Sequence, residues 1–243
     1  MAFYTDISKY YDKIFPISKV TVDFLKDSLG NPPKNVLDVA CGTGEYALEL
    51  EKQGYNLKAI DLDSKMIEKL REKAKKNNSK VSFMEGNMIN LGKDFSDEKF
   101  DAIYCIGNSL VHLDNLNEIQ VFFQDVRKLL NEDGIFIFQI INYDRIIAKE
   151  LRSLPTIENK EVPLKFERLY NLDEATGKII FKTILHVDNK EIINEVNLIP
   201  LMYDDAISML KSAGFNKVKA YGDFRRSCYD KENSYALILE ARQ

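Results

Sequence analysis

The sequence predicts an α/β fold, and three observations carry that reading. Short apolar runs of strand length alternate with helix-periodic stretches between residues 34 and 141. The stretch Val36-Leu37-Asp38-Val39-Ala40-Cys41-Gly42-Thr43-Gly44-Glu45-Tyr46-Ala47-Leu48-Glu49-Leu50 changes period twice, from buried strand through tight turn to helix. A chain of 243 residues with 45% hydrophobic content can bury the core of one sizeable α/β domain plus a modest insertion.

Charge and composition narrow the function classes. Charged residues make up 30% of the chain with both signs interspersed, and the net charge is -4, so no global basic field gathers a polyphosphate and no nucleic-acid partner is expected. The run from Lys69 to Lys80 is interrupted by Glu72 and falls on an expected helix, which reads as a solvated face. Cys41, Cys105 and Cys228 are odd in number and lack Cys-x-x-Cys spacing, which points to a reducing compartment. The first six residues carry no basic region followed by an apolar core, and no window approaches the ~20 apolar residues of a membrane span. A soluble cytoplasmic protein without a membrane partner is the expectation. With His112 and His186 as the two histidines, no metal-ligand set is visible.

Gly42 and Gly44 let a ligand approach the main chain, and the amides opening the next helix point into the same crevice. Gly42-x-Gly44-x-x-Ala47 alone also passes as a loose dinucleotide fingerprint. Asp38 separates the two readings, because a carboxylate four residues before the first glycine repels a pyrophosphate and pairs with an ammonium group. The string Leu37-Asp38-Val39-Ala40-Cys41-Gly42-Thr43-Gly44 resembles the first motif of class I S-adenosylmethionine (SAM) dependent methyltransferases. That resemblance implies a Rossmann-like, seven-stranded, mostly parallel sheet with helices on both faces. It also implies SAM as cofactor, S-adenosylhomocysteine as its product, no metal, and cofactor contacts at Asp38, Ala40, Cys41, Gly42 and Gly44.

The elements follow in order. Residues 3 to 15 hold Phe3, Tyr4, Tyr10, Tyr11 and Phe15, and the Tyr10-Tyr11-Asp12-x-Ile14-Phe15 piece resembles the segment covering the cofactor in small-molecule methyltransferases. Tyr11 is the candidate contact there; aromatics packing on outer helices is the alternative. Val20, Phe24 and Leu25 have helix spacing over residues 17 to 29, and Gly30 stops that helix. The helix opened by Ala47 ends at Gly54, and Asn56 to Asp61 reads as a second strand ending on an acid. Asp61 is placed to accept both hydroxyls of a ribose, while Asp63 or Ser64 suits the cap of the next helix. Leu62 and Met66, beside it, are further implied cofactor contacts. Lys80 to Glu85 is a third strand, after which the resemblance puts Asn87 on the adenine amine and Met88 on its face.

Lys99 to Ile106 is a fourth strand, followed by Gly107-Asn108-Ser109-Leu110-Val111-His112-Leu113. This loop resembles that of glycine and sarcosine N-methyltransferases and their bacterial relatives, which implies Ile106 and His112 beside the cofactor and Asn108 facing the substrate. A helix over residues 117 to 130 leads to a fifth, fully buried strand from Ile135 to Ile141. Asn142-Tyr143-Asp144 extends the resemblance and adds Tyr143 as a substrate contact. The arginine that precedes this asparagine in those enzymes is Ile141 here, which argues against glycine itself as acceptor. Arg145, Arg152 and Arg168 are the candidate replacements.

From Val162 to Leu201 the pattern becomes period-two runs separated by turns, an antiparallel meander. The chain thus divides into residues 1–146 with 202–243 as the cofactor-binding domain, and 147–201 as an antiparallel β insertion after strand five. The insertion serves as a substrate lid or as a homodimer interface. A helix over 203–213 and strands over 217–221 and 235–241 close the sheet. Phe224-Arg225-Arg226 reads either as the substrate mouth or as a surface turn.

The expected function is methyl transfer to a small molecule, at an amine nitrogen. Transfer is an in-line displacement, so positioning in a water-poor pocket is the protein's main task and no dedicated catalytic residue is required. His112 and Tyr143 are the candidates for assisting deprotonation of the nucleophile. The competing readings are a methyltransferase for tRNA or protein, a non-catalytic SAM-binding protein, and an NAD-linked oxidoreductase that Asp38 argues against.

Overall fold

Eleven strands form two sheets in the computed structural model, which describes residues 7–159 and 161–243; Phe3 and Tyr4 lie outside the described residues. β1 (Asn35–Val39), β2 (Asn56–Asp61), β3 (Ser82–Glu85), β4 (Phe100–Cys105) and β5 (Leu130–Ile141) pair in parallel. β6 (Ser153–Asn159), β7 (Leu164–Asp173), β8 (Lys178–Val187) and β9 (Lys190–Leu198) form a separate antiparallel sheet in sequence order. β10 (Lys217–Tyr221) and β11 (Ala236–Arg242) return to the first sheet, antiparallel beyond β5. The seven-stranded order is β3-β2-β1-β4-β5-β11-β10, so the chain winds outwards in both directions from β1 and β4. Crevices at such a reversal point, at the carboxyl ends of the strands, are where ligands bind in open α/β sheets.

Helices α1 (Tyr11–Ile14), α2 (Lys19–Leu29), α3 (Glu45–Lys52), α4 (Ser64–Lys76), α5 (Leu91–Asp94), α6 (Leu116–Leu129), α7 (Tyr143–Ala148) and α8 (Tyr203–Ser212) surround the sheets. Strand alternation divides the core in two. Val36, Ala102, Tyr104, Ile135 and Ile137 face one side with the apolar stripes of α2, α3 and α4. Leu37, Val39, Ile103, Phe136 and Phe138 face the other, with α6, α8 and the inner face of β7 and β8. The inserted sheet therefore shares a core with the main one. Phe122, Phe123, Phe136 and Phe138 are fully buried there, each contributing about 1.5–3 kcal/mol of apolar burial.

Two elements depart from the sequence reading. β6 precedes the expected meander; Pro155 interrupts its pattern and sits on an edge strand next to a register shift, where a missing amide is tolerated. β5 begins at Leu130 instead of Ile135, because Leu130 pairs with Phe100 ahead of a bulge. Cys41, Cys105 and Cys228 are all free thiols. Among the described residues, no helix is long and apolar enough to cross a membrane.

Candidate active site

The turn after β1 is held in a conformation that explains its residues. Gly42 and Gly44 have φ of 56° and 77°, in the left-handed region, and a Cβ on Gly44 would lie 2.2 Å from Leu70 Cδ1. α4 thus packs directly onto the turn. A Cβ on Gly42 would meet the Tyr11 ring at 3.2 Å. Asp61, ending β2, accepts the Gly42 amide on Oδ2 at 2.7 Å and the Asp63 amide on Oδ1 at 2.9 Å. Burial raises its carboxyl pKa, against the opposing effect of those two amides. Asp63 instead caps α4, its Oδ1 accepting the Lys65 amide at 2.8 Å. Asp63 thus takes the cap that its position predicts, and the Asp61 side chain does not.

Beside Asp61 lies a cavity of about 700 Å³, counted out to its open mouth. Tyr11, Ala40, Gly42, Asp61, Leu62, Met66, Asn87, Met88 and His112 line it, together with Ile60, Asp63, Gly86, Ser109 and Leu113, to which the sequence reading gave no cofactor contact. Asn87 Oδ1 accepts the Ile89 amide at 3.2 Å, leaving that oxygen a second lone pair for a donor such as an exocyclic amine.

A second cavity, about 1470 Å³ on the same count, opens on the other side of Tyr11, Ala40 and His112, which line both. Asp38, Cys41 and Ile106 line the second cavity and not the first. Asp38 is 3% exposed and accepts the Tyr104 hydroxyl at 2.8 Å. Burial pushes its carboxyl up to about 8; the Tyr104 bond lowers it and the Asp61 charge raises it further. A cation placed there would draw the proton off. Burial also lowers the His112 imidazole to about 4, so it is neutral at physiological pH. Among lining residues the sequence reading missed, Gln139 has a legible signal, a lone amide within an apolar run; its Oε1 accepts the Gly107 amide at 2.8 Å. Phe166 and Phe181 come from the inserted sheet, and Phe224 from the loop before β11. Arg226, by contrast, is a structural residue, bonded to Glu240 at 2.9 Å and Ser28 at 2.7 Å.

The loop after β4 and the start of α7 correct one expectation. Asn108 lines the second cavity, yet its side chain is engaged: Oδ1 accepts the Ile141 amide at 2.9 Å and Nδ2 donates to Tyr143 Oη at 3.1 Å. Tyr143 is 1% exposed and lines neither cavity. It sits behind Asn108 as a brace, and not against a substrate. Its neighbours are also structural. Asn142 Oδ1 caps α7 while Nδ2 donates to the Lys231 and Ser234 carbonyls at 2.9 Å, and Asp144 Oδ2 accepts the Tyr203 amide at 2.8 Å. Of the three replacement arginines, Arg168 lines the second cavity. Arg145 stacks on Tyr235 at 5.9 Å, and Arg152 donates to Asn171 at 3.1 Å.

Residues 10 to 15 bridge the glycine turn and the insertion. Asp12 accepts the Thr43 hydroxyl and pairs with Lys73 at 2.6 Å, and Lys73 also pairs with Glu45. Lys73 is therefore an exception to the solvated face expected of α4. On the other side, Tyr10 donates to Asp188 at 2.5 Å, Asn159 donates to the Lys13 carbonyl at 3.1 Å, and Phe15 packs edge-on against Phe166 at 5.7 Å.

These features fit SAM. The chemistry of the donor set matches its parts: a strand-end carboxylate for a ribose diol, Asn87 and Met88 for an adenine, and a buried carboxylate with no cationic partner among the described residues for an amino group. Among the described residues, no group of three or more His, Cys, Asp or Glu is arranged to hold a metal ion.

Comparison with known proteins finds similarity to methyltransferases. A methyltransferase domain model matches residues 36–134. A glycine/sarcosine N-methyltransferase of Aphanothece halophytica is 25% identical over 214 residues, covering 88% of this chain and 78% of that protein. The fold matches a SAM-dependent methyltransferase from Clostridium acetobutylicum with a TM-score of 0.81 at 21% identity, over 99% of this chain and 98% of that one. It matches the CcbJ methyltransferase of Streptomyces caelestis with a TM-score of 0.83 at 21% identity, over 97% and 95% of the two chains.

Proposed function

We infer that this chain, a class I SAM-dependent methyltransferase, transfers the methyl group to a small molecule at an amine nitrogen. The observation that carries the reading is the meeting of two cavities at Tyr11, Ala40 and His112, one suited to an adenosine and the other roofed by Phe166 and Phe181 of the insertion. Two substrates that exchange a methyl group need such a junction. The relative from Aphanothece halophytica, whose name specifies N-methylation of glycine and sarcosine, supports nitrogen as the acceptor atom.

When bound, SAM supplies a methyl group on a sulfonium sulfur. The chain's residues do the rest by holding and shielding. Asp61 fixes the ribose end through a carboxylate that Gly42 and Asp63 hold in place. Asp38 answers the amino group. Tyr11, anchored on the glycine turn, and the apolar wall of β7 and β8 exclude water from the junction. Residues 147–201 act as a lid on the acceptor. An ammonium nucleophile must lose a proton before its lone pair can attack. An imidazole that burial holds at about 4 is too weak a base to strip it, so the amine arrives in its neutral form and the His112 imidazole at the junction accepts a hydrogen bond from its N–H. Tyr143 enters through Asn108, by fixing the loop that carries His112.

Incubation with methyl-labelled SAM and pools of small amines, tRNA or protein extract, followed by S-adenosylhomocysteine release and product mass, tests the reading. Label in a small amine is the expected outcome. Label in tRNA or protein, or cofactor binding without turnover in any pool, contradicts it.

A further inference from the structure

Charge is unevenly placed in the second cavity. Its acidic lining residues, Asp38 and Glu45, lie at the glycine turn, whereas Arg168 of β7 is the one Lys or Arg among the described lining residues. Arg168 stands opposite Thr183 of β8, and Thr183 stands opposite Asn194 of β9, so the three form one row across the inserted sheet. Protein atoms leave Arg168 Nε, Thr183 Oγ1 and Asn194 Nδ2 buried without a hydrogen-bond partner, three of the four such atoms among the described residues. Arg168 Nη2 is tied to the Pro155 carbonyl at 2.7 Å, which holds the guanidinium at the edge of the cavity. Buried donors left unpaired are costly in a sheet face otherwise built from Phe166, Tyr170, Phe181 and Leu185, and such a row is retained where it has a use.

We propose that Arg168 is the specificity-determining residue of the acceptor cavity, and that it binds a carboxylate on the acceptor. The inference rests on the reading that the second cavity takes the acceptor. A planar guanidinium forms two parallel bonds to a carboxylate, and the Thr183 and Asn194 side chains back that end of the row. Ile141 closes the position from which the resembled enzymes address glycine, and Arg168 lies instead on the roof among aromatic rings. The acceptor this describes is an amine with an apolar body and a carboxylate remote from the glycine turn. Arg168 shares the second cavity with Asp38, the residue read against the cofactor's amino group, but stands on β7 of the insertion and not on the turn or strand ends that carry the cofactor residues, which assigns it to the acceptor.

The test separates anion binding from turnover. Protein loaded with S-adenosylhomocysteine is titrated with 3-phenylpropanoate and with its neutral amide, in the native chain, Arg168→Met and Arg168→Lys. The native chain is expected to prefer the acid by about 10- to 100-fold, the range for a hydrogen-bonded charged group. Arg168→Met is expected to abolish that preference, and Arg168→Lys to restore part of it, with S-adenosylhomocysteine affinity equal in all three. Equal affinity for acid and amide in the native chain, or binding of neither, overturns the proposal. So does weakened S-adenosylhomocysteine binding in Arg168→Met, which assigns the guanidinium to the cofactor's own carboxylate. None of these outcomes depends on which atom is methylated, so a failed amine screen with an intact acid preference contradicts only the nitrogen assignment.

Discussion

The two cavities that meet at Tyr11, Ala40 and His112 are built from different material. The first is lined mostly by the loops that follow β1, β2, β3 and β4, each fixed by backbone hydrogen bonds at the carboxyl edge of a parallel sheet. The second borrows its roof from an antiparallel insertion, with side chains from β6, β7 and β8. The first is therefore suited to a ligand whose shape does not vary, with the Asp61 carboxylate in a fixed place. The second can change its lining residue by residue without disturbing the sheet beneath. A constant cofactor and a variable acceptor ask for that division.

The comparison breaks most readily at Asp61. Asp61→Ala removes a carboxylate that would receive two hydroxyls, and is expected to weaken S-adenosylhomocysteine binding about 100-fold or more while leaving the melting temperature within a few degrees; calorimetric titration and a thermal melt check both. His112→Ala should lower turnover about 10-fold, the loss of one hydrogen bond to the amine, with cofactor affinity changed only a few-fold. Steady-state kinetics separate those two effects. Gly44→Val places a side chain 2.2 Å from Leu70 Cδ1 at positive φ, and should cost about 1–3 kcal/mol of stability by urea unfolding.

A pH dependence sharpens the comparison further. Asp38 has a folded pKa of about 8, raised from 3.8, so below that value the free protein holds a proton that a bound ammonium group displaces. Cofactor binding at pH 7 should release about one proton from Asp38, measurable by calorimetry in buffers of different ionisation enthalpy, and Asp38→Asn should remove that release. The same shift contributes stability that is fully present below pH 3.8 and lost as pH rises through 8, which Asp38→Asn should flatten. The smallest effect is expected from Asp12→Asn. It loosens a partly exposed pair with Lys73, changing stability by about 0–1 kcal/mol, with a faster cofactor off-rate in stopped-flow as its main sign.

How much could be read in advance follows the same boundary. The two glycines were legible because positive φ at the turn favours that residue type, while Asp38 stood out as an acid inside an apolar run and Asp61 as the acid ending its strand. The positions of the strands along the chain were legible from period, apart from the early start of β5, while their seven-stranded, mostly parallel arrangement came from the family resemblance and their order from the pairing itself. The Asn142-Tyr143-Asp144 motif misled, since a string of polar residues at a strand end looks the same whether it faces a ligand or, as here, braces Asn108, α7 and α8. The lining of the second cavity was legible only in part: Arg168 was one of three candidate arginines, whereas Phe166 and Phe181 enter it through cross-strand register within the insertion, and register depends on pairing partners. β6 escaped notice because Pro155 and its polar neighbours carry no alternation.

Hydrogen exchange with and without S-adenosylhomocysteine tests the division between the two cavities most directly. Amides at residues 40–44, 61–63 and 86–89 are predicted to gain the strongest protection, with β7, β8 and β9 changed far less. Protection centred on the inserted sheet, or none at residues 61–63, would contradict the account.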